Sequence, residues 1–421
     1  MHNEYMSVTA LKYRGDRARL AGCILVGCVL ISMTKAFALT SLFEALLLAL
    51  FLLSPDLRAR AIKSLTDSRV LLTLAFWAWI GASCSWGIAP FDERIADWWS
   101  WRKLLLVVYC FALFETARSK RALMMTLISV CSIYLFLSWS AFFGMITLPL
   151  KASSVLENHA TQGVLFGGSA LFCFILAGTT VRPFWYRAIL IVLAVMFVLN
   201  VLVVGTGRSG YLFLIVITGV GVFLARRSGL VSVVVVVGIL VAGLALSDTA
   251  RTRIYQAYSE SVSAFVPGSE YSSIGVRLVM WNNTLNLIRQ SPVLGTGAGS
   301  FKYGYSQIVS EVQGWSGLVS DDPHQQFLHV LAEYGAIGLA VFLLALLAIA
   351  FSGRFVDFPP ANIALYAILF GTIANSFANG HFSSFVEGRF AWVFMFALCS
   401  GTPDRFGEFW RRKIRGVEKF E

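Results

Sequence analysis

Twelve runs of about 14 to 25 mostly apolar residues alternate along this chain with short segments carrying Lys and Arg. A helix needs ~20 such residues to cross a bilayer core. The runs fall at about 20–36, 38–54, 70–87, 102–116, 122–145, 161–180, 188–204, 211–225, 229–247, 326–350, 361–379 and 389–402. Hydrophobic residues make up 57% of the 421 and charged residues 14%, against roughly 45–50% and about 25% in soluble domains. That balance excludes a soluble globular enzyme, a disordered chain and a coiled coil. The expectation is an all-α polytopic membrane protein with about twelve transmembrane helices.

The basic residues set the orientation. With the N-terminus inside, 22 of the 34 Lys and Arg residues fall in inside segments, and the short loops agree with the positive-inside bias. Both termini are then cytoplasmic. The net charge of +11 suits anionic lipid headgroups, with no nucleic acid implied. Residues 1–19 are polar and basic and lead into paired apolar runs, which is not the pattern of a cleavable signal. The seven cysteines lie in or beside apolar runs without a CxxC pair, so neither disulfides nor a zinc site is expected.

The chain divides into 1–247 with helices one to nine, 248–325 as one large extramembrane loop, 326–402 with helices ten to twelve, and a basic tail at 403–421. Within the loop, 274–290 reads as a helix with Leu278, Trp281, Leu285 and Ile288 on one apolar face. Ser272 or Ser273 can cap its start, and Pro292 follows its end.

Chemistry is sought where cations fall on the outer side. Arg208 sits in Gly205-Thr-Gly-Arg-Ser-Gly210 between spans seven and eight. A guanidinium stays charged and its fork matches phosphate oxygens, while glycines let N–H groups approach an anion. Arg277 lies one turn before Trp281, ahead of Gly295-Thr-Gly-Ala-Gly299, a flexible turn whose N–H groups would also be available to an anion. His324, in Asp321-Asp322-Pro323-His324, stands where span ten begins, and histidine exchanges protons near neutral pH. Arg102 and Lys103 at the outer end of span four, His159 at the start of span six and Arg389 in the last outer turn are further candidates for substrate contact. His329, His381 and Glu387 read as structural. There is no Walker A, HExxH or GxSxG motif, and no obvious outer pair of carboxylates.

An Arg after a glycine turn, Arg-x3-Trp leading into Pro-x2-Gly-x-Gly-x-Gly-Ser-Phe, and Pro-His-x2-Phe-Leu-x3-Ala-Glu-x-Gly together resemble the O-antigen ligase and polymerase superfamily, mainly across residues 201–345. The resemblance implies a GT-C-type glycosyltransferase of the bacterial inner membrane, metal-independent and without cofactor. It implies a periplasmic loop, an undecaprenyl-diphosphate-linked O-antigen as donor and lipid A-core as acceptor. Arg208, Arg277 and His324 match the functional positions. Within the same superfamily, an O-antigen polymerase often carries two sizeable outer loops, and a protein O-oligosaccharyltransferase usually has extra soluble helices after the last span. A lipid-linked glycan transporter is the reading from another class; it predicts inverted repeats and helices broken at mid-membrane, and no internal repeat is found.

Overall fold

The computed structural model describes residues 2–147, 154–205, 207–225, 273–310 and 317–417, with isolated positions between 238 and 262 and at 312 and 314. The helices are α1 His2–Ser32, α2 Phe37–Leu53, α3 Pro55–Ser64, α4 Ser68–Ser83, α5 Phe91–Ser100, α6 Leu106–Leu113, α7 Ala117–Phe142, α8 His159–Thr179, α9 Phe184–Leu199, α10 Arg208–Ala225, α11 Ser273–Gln290, α12 Phe301–Ile308, α13 Gln326–Ala350, α14 Pro360–Ser376, α15 Phe385–Cys399 and α16 Arg405–Val417. A 3₁₀ turn, Trp101–Leu105, leads into α6, and a π turn, Asn200–Val204, ends α9. No strand occurs among the described residues.

The all-helical class is as expected, and the chain is an integral membrane protein. Among the described residues, four helical stretches are long and apolar enough to cross a bilayer: Ala117–Phe142, His159–Thr179, Phe184–Val204 and Gln326–Ala350. The α2–α3 pair, bent by 102°, adds a fifth if counted as one span. The run expected at 102–116 is shorter as α-helix, because the 3₁₀ turn takes its first residues and α6 is only eight residues long. The expected span at 229–247, apart from residue 238, lies outside the described residues, as does most of the loop before residue 273.

Apolar side chains stand on the outside of the bundle. Phe37, Leu42, Leu52 and Leu53 on α2, and Phe184, Trp185, Ile189 and Val192 on α9, are all exposed. Such faces belong against lipid, since water would penalise contiguous apolar patches of this kind. At the centre, α15 is buried along nearly its whole length.

Charged groups hold α15 at both ends. Lys120 Nζ donates to the Leu398 and Ser400 carbonyls, each at 2.6 Å. Arg69 donates to the Cys399 carbonyl at 3.4 Å and the Thr402 carbonyl at 2.9 Å. Cations at a helix C-terminus satisfy its last carbonyls and oppose its dipole. At the other end, Lys103 Nζ donates to the Ser383 carbonyl and, at 3.3 Å, to that of Ser384. The Lys103 contacts hold the end of the 377–384 turn, which borders the candidate site.

Helix α11 matches its expected bounds, but its packing face is rotated. Leu287 and Ile288 are buried against Phe301, Tyr305 and Val309, whereas Leu285 is 43% exposed. Docking onto α12 selects the Thr284–Leu287–Ile288 face, spaced i, i+3, i+4.

Candidate active site

Arg208 opens α10 immediately after a turn that the sequence shapes closely. The π turn directs Gly205 N–H to the Asn200 carbonyl at 2.9 Å. Asn200 is itself anchored: its Oδ1 accepts from Gln162 Nε2 at 2.9 Å and its Nδ2 donates to Ser138 Oγ at 3.0 Å. Tyr211 Oη donates to the Gly205 carbonyl at 2.6 Å. Helices α8 and α10 cross closely, since a Cβ added to Gly163 would lie 2.4 Å from Gly210 Cα. The same crossing sets Gly207 against His159, 3.1 Å from its Cβ by the same measure. Arg208 and His159 therefore start neighbouring helices side by side.

Arg277 and His324 are joined through Trp281. Its Nε1 donates to the Pro323 carbonyl at 2.9 Å, so the Pro323–His324 peptide is pinned one helical turn from Arg277. Asp322 Oδ1 accepts from His324 N–H at 2.5 Å. His324 has φ +52°, the one positive value at a non-glycine position among the described residues. This left-handed geometry disfavours a residue with a Cβ, and such strain gathers at functional sites.

Beneath this segment lies the 377–384 turn. A Cβ on Gly380 would stand 2.9 Å from Asp322 Oδ2. Gln326 Oε1 accepts from Ser383 N–H at 2.9 Å and Ser383 Oγ at 3.1 Å. His381 is 1% exposed, with Nδ1 at 3.9 Å from Glu387 Oε1. Glu387 in turn accepts from Thr161 Oγ1 at 2.6 Å and Ser384 Oγ at 2.7 Å. Burial lowers the His381 pKa; Glu387 and Asp322 oppose that shift, and Arg277 adds to it. Arg277 and Asp322 thus reach His381 from the loop side, while Thr161, two residues beyond His159, reaches Glu387 from α8. The segments carrying Arg277, His324 and His159 thus approach one His381–Glu387 pair through Arg277, Asp322 and Thr161. The sequence marks that pair as structural, because a turn residue and the first turn of the following helix carry no motif.

The glycine-rich loop behaves differently from expectation. Helix α13 breaks at Gly335, with φ +68° and ψ −174°. Backbone of residues 292–297 supplies the missing partners. Ala336 N–H donates to the Pro292 carbonyl at 2.9 Å, Thr296 N–H to Ala332 at 2.9 Å, and Gly297 N–H to Glu333 at 2.8 Å. Ala298 N–H goes to Ser83 Oγ, Gly299 N–H to Asp97 Oδ2 and Phe301 N–H to Glu333 Oε1. The loop's N–H groups are engaged within the protein rather than held ready for an anion. Satisfying a broken helix in this way is what permits non-helical backbone at membrane depth.

The same contact creates a carboxylate pair that the sequence did not reveal. Asp97 Oδ2 accepts from Tyr334 Oη at 2.8 Å, and Glu333 Oε2 lies 3.4 Å from His329 Nε2. Burial, then the Glu333 charge, pushes Asp97 up to about 7.

Arg102, Lys103 and Arg389 form another group. Glu44 binds Arg102 Nε at 3.2 Å and Arg389 Nε at 2.6 Å. Arg389 also stacks on Phe385, 3.8 Å from the ring centroid. Both guanidiniums share one carboxylate, and Lys103 is occupied by the Ser383 and Ser384 carbonyls. Among the described residues, no three His, Cys, Asp or Glu side chains are arranged to hold a metal ion.

Residues 193–343 match the family model described as O-antigen ligase. That match supports the resemblance of this stretch to the O-antigen ligase and polymerase superfamily. It spans Arg208, Arg277, His324 and the broken helix with its loop, and stops before His381 and Glu387. A protein of Haemophilus influenzae described as uncharacterized is 25% identical over 147 residues, covering 33% of this chain and 37% of the relative. The match thus spans little more than a third of that relative's length.

Proposed function

We propose that the chain is an O-antigen ligase of the bacterial inner membrane, GT-C-type in architecture. It transfers polysaccharide from undecaprenyl diphosphate to a sugar hydroxyl of lipid A-core on the periplasmic side. The observation that supports this reading is that the Asp322–Gln326 segment around His324 packs on Gly380 and Ser383, while Trp281, one turn from Arg277, holds the Pro323 carbonyl.

The chemistry follows from what those side chains do. A glycosyl diphosphate is already activated, so the protein's task is to stabilise the departing anion and position the acceptor. Arg208 and Arg277 take the diphosphate. A charge pair at ~4 Å contributes roughly 4 kcal/mol at an effective dielectric of about 20. The acceptor oxygen bonds to the anomeric carbon while the carbon–oxygen bond to phosphate breaks, and the electron pair leaves with the diphosphate. Attack from the opposite face inverts the centre. His324 accepts the hydroxyl proton or orients that hydroxyl; general-base action is worth typically ~10²–10⁴-fold. His159 borders the donor beside Arg208. Of the Glu44 group, Arg102, with 17% of its side chain exposed, is the member placed to reach a lipid phosphate, while Lys103 and Arg389 support the turn. No metal or cofactor takes part.

Deleting the protein and examining lipopolysaccharide tests this. Core-only lipid with accumulated prenyl-linked polymer is the expected outcome, and Arg208→Ala, Arg277→Ala or His324→Ala should each fail to restore attachment at normal protein level. Core bearing a single repeat would instead identify a polymerase, and unchanged lipopolysaccharide would reject both.

A further inference from the structure

Helix α14 and the turn after it carry a concentration of buried polar atoms without partners. Thr372, Asn375 and Ser376 are at most 3% exposed and fall at i, i+3, i+4 on one face. Thr372 Oγ1, both side-chain heteroatoms of Asn375, Ser376 Oγ and both ring nitrogens of His381 have no hydrogen-bond partner among the described residues. Most buried polar atoms are paired, because burial removes water without replacing it, so a local cluster of unpaired ones needs an explanation. Six atoms within ten residues, ending at His381, which feels the field of Arg277, call for a ligand.

The chemistry of the set identifies its class. Hydroxyls, a carboxamide and an imidazole offer both neutral donors and neutral acceptors. Phosphate would call for fixed cations, and a prenyl chain for apolar walls. Vicinal ring hydroxyls, each both donor and acceptor, fit this set. Resting on the ligase reading, we propose that Thr372, Asn375, Ser376 and His381 form a saccharide subsite beside the Arg208–Arg277 diphosphate site, contacting the pyranose of the donor or of the acceptor.

Near-isosteric apolar replacement separates this role from a structural one. Thr372→Val combined with Asn375→Leu, in the full chain purified into nanodiscs, should melt at or above the wild-type temperature, since the lost polar atoms have no protein partners. Binding of undecaprenyl diphosphate without sugar should stay at the wild-type level. Binding of the glycan-bearing prenyl diphosphate should weaken by about tenfold or more if the donor sugar occupies the subsite, and binding of lipid A-core should do so if the acceptor sugar does. Undiminished binding of both saccharide ligands overturns the subsite. So does a lowered melting temperature with equal loss of the sugar-free lipid, which marks a structural role. If the wild-type chain binds neither prenyl diphosphate, the ligase reading falls first and the subsite with it.

Discussion

Asp97 and Glu44 show how single carboxylates support the site from outside it. Asp97 has its pKa pushed up to about 7 by burial and by Glu333, above the ordinary aspartate value of about 3.9. Its contribution is therefore fully present below about pH 4 and is lost as pH rises through 7. Asp97→Asn keeps an acceptor for Tyr334 and Gly299 while removing that charge. The variant should melt with wild type at pH 4 and above it at pH 8; identical melting at both values would contradict the assignment. Glu44→Gln should destabilise by on the order of 3 kcal/mol, measured as a lower melting temperature in detergent, because Arg389 would be left buried without a counter-charge. At this scale the cationic candidates were legible, since Arg208 sits in a glycine turn and Arg277 precedes Trp281 by one turn. His381 and Glu387 were not, because their meaning comes from Thr161 and Arg277, which lie more than a hundred positions away.

Helices transmit this arrangement through their irregularities. The apolar pattern of 326–350 continues through Gly335, so the sequence reads as one span and hides the break. The glycine loop looked like an anion cradle for the same reason: its N–H groups have no visible use until the broken helix is placed beside them. Gly335→Ala tests the pairing. Its backbone has φ +68°, and a Cβ would lie 2.1 Å from the Val293 carbonyl oxygen. Backbone strain alone is worth about 1–3 kcal/mol, and the overlap adds to it. The variant should give a sharply reduced monodisperse peak on size-exclusion chromatography; a wild-type peak and melting temperature would show that the break is not needed. By contrast α11 was legible to within a residue, because its seryl start and Pro292 mark its ends locally. Its buried face was misread, since Leu285 and Leu287 are equally apolar and only docking on α12 decides between them.

At the scale of the molecule, exposed apolar faces on α2 and α9 surround a buried α15, whose ends are held by Lys120 and Arg69 at one side and Lys103 at the other. Two of those cations, Arg69 and Lys120, are among the inside basic residues that set the orientation; burial gives them a second task that charge counting does not show. The frame holds the 377–384 turn against the Asp322–Gln326 segment, and the account depends on the Arg208 and Arg277 guanidiniums gripping a pyrophosphoryl lipid. The most direct measurement is equilibrium binding of undecaprenyl diphosphate to the purified chain in nanodiscs, wild type against Arg208→Ala and Arg277→Ala. Each substitution should weaken binding by about tenfold or more, corresponding to roughly 1.4 kcal/mol or more, with the melting temperature unchanged. Wild-type affinity in both folded variants would contradict it.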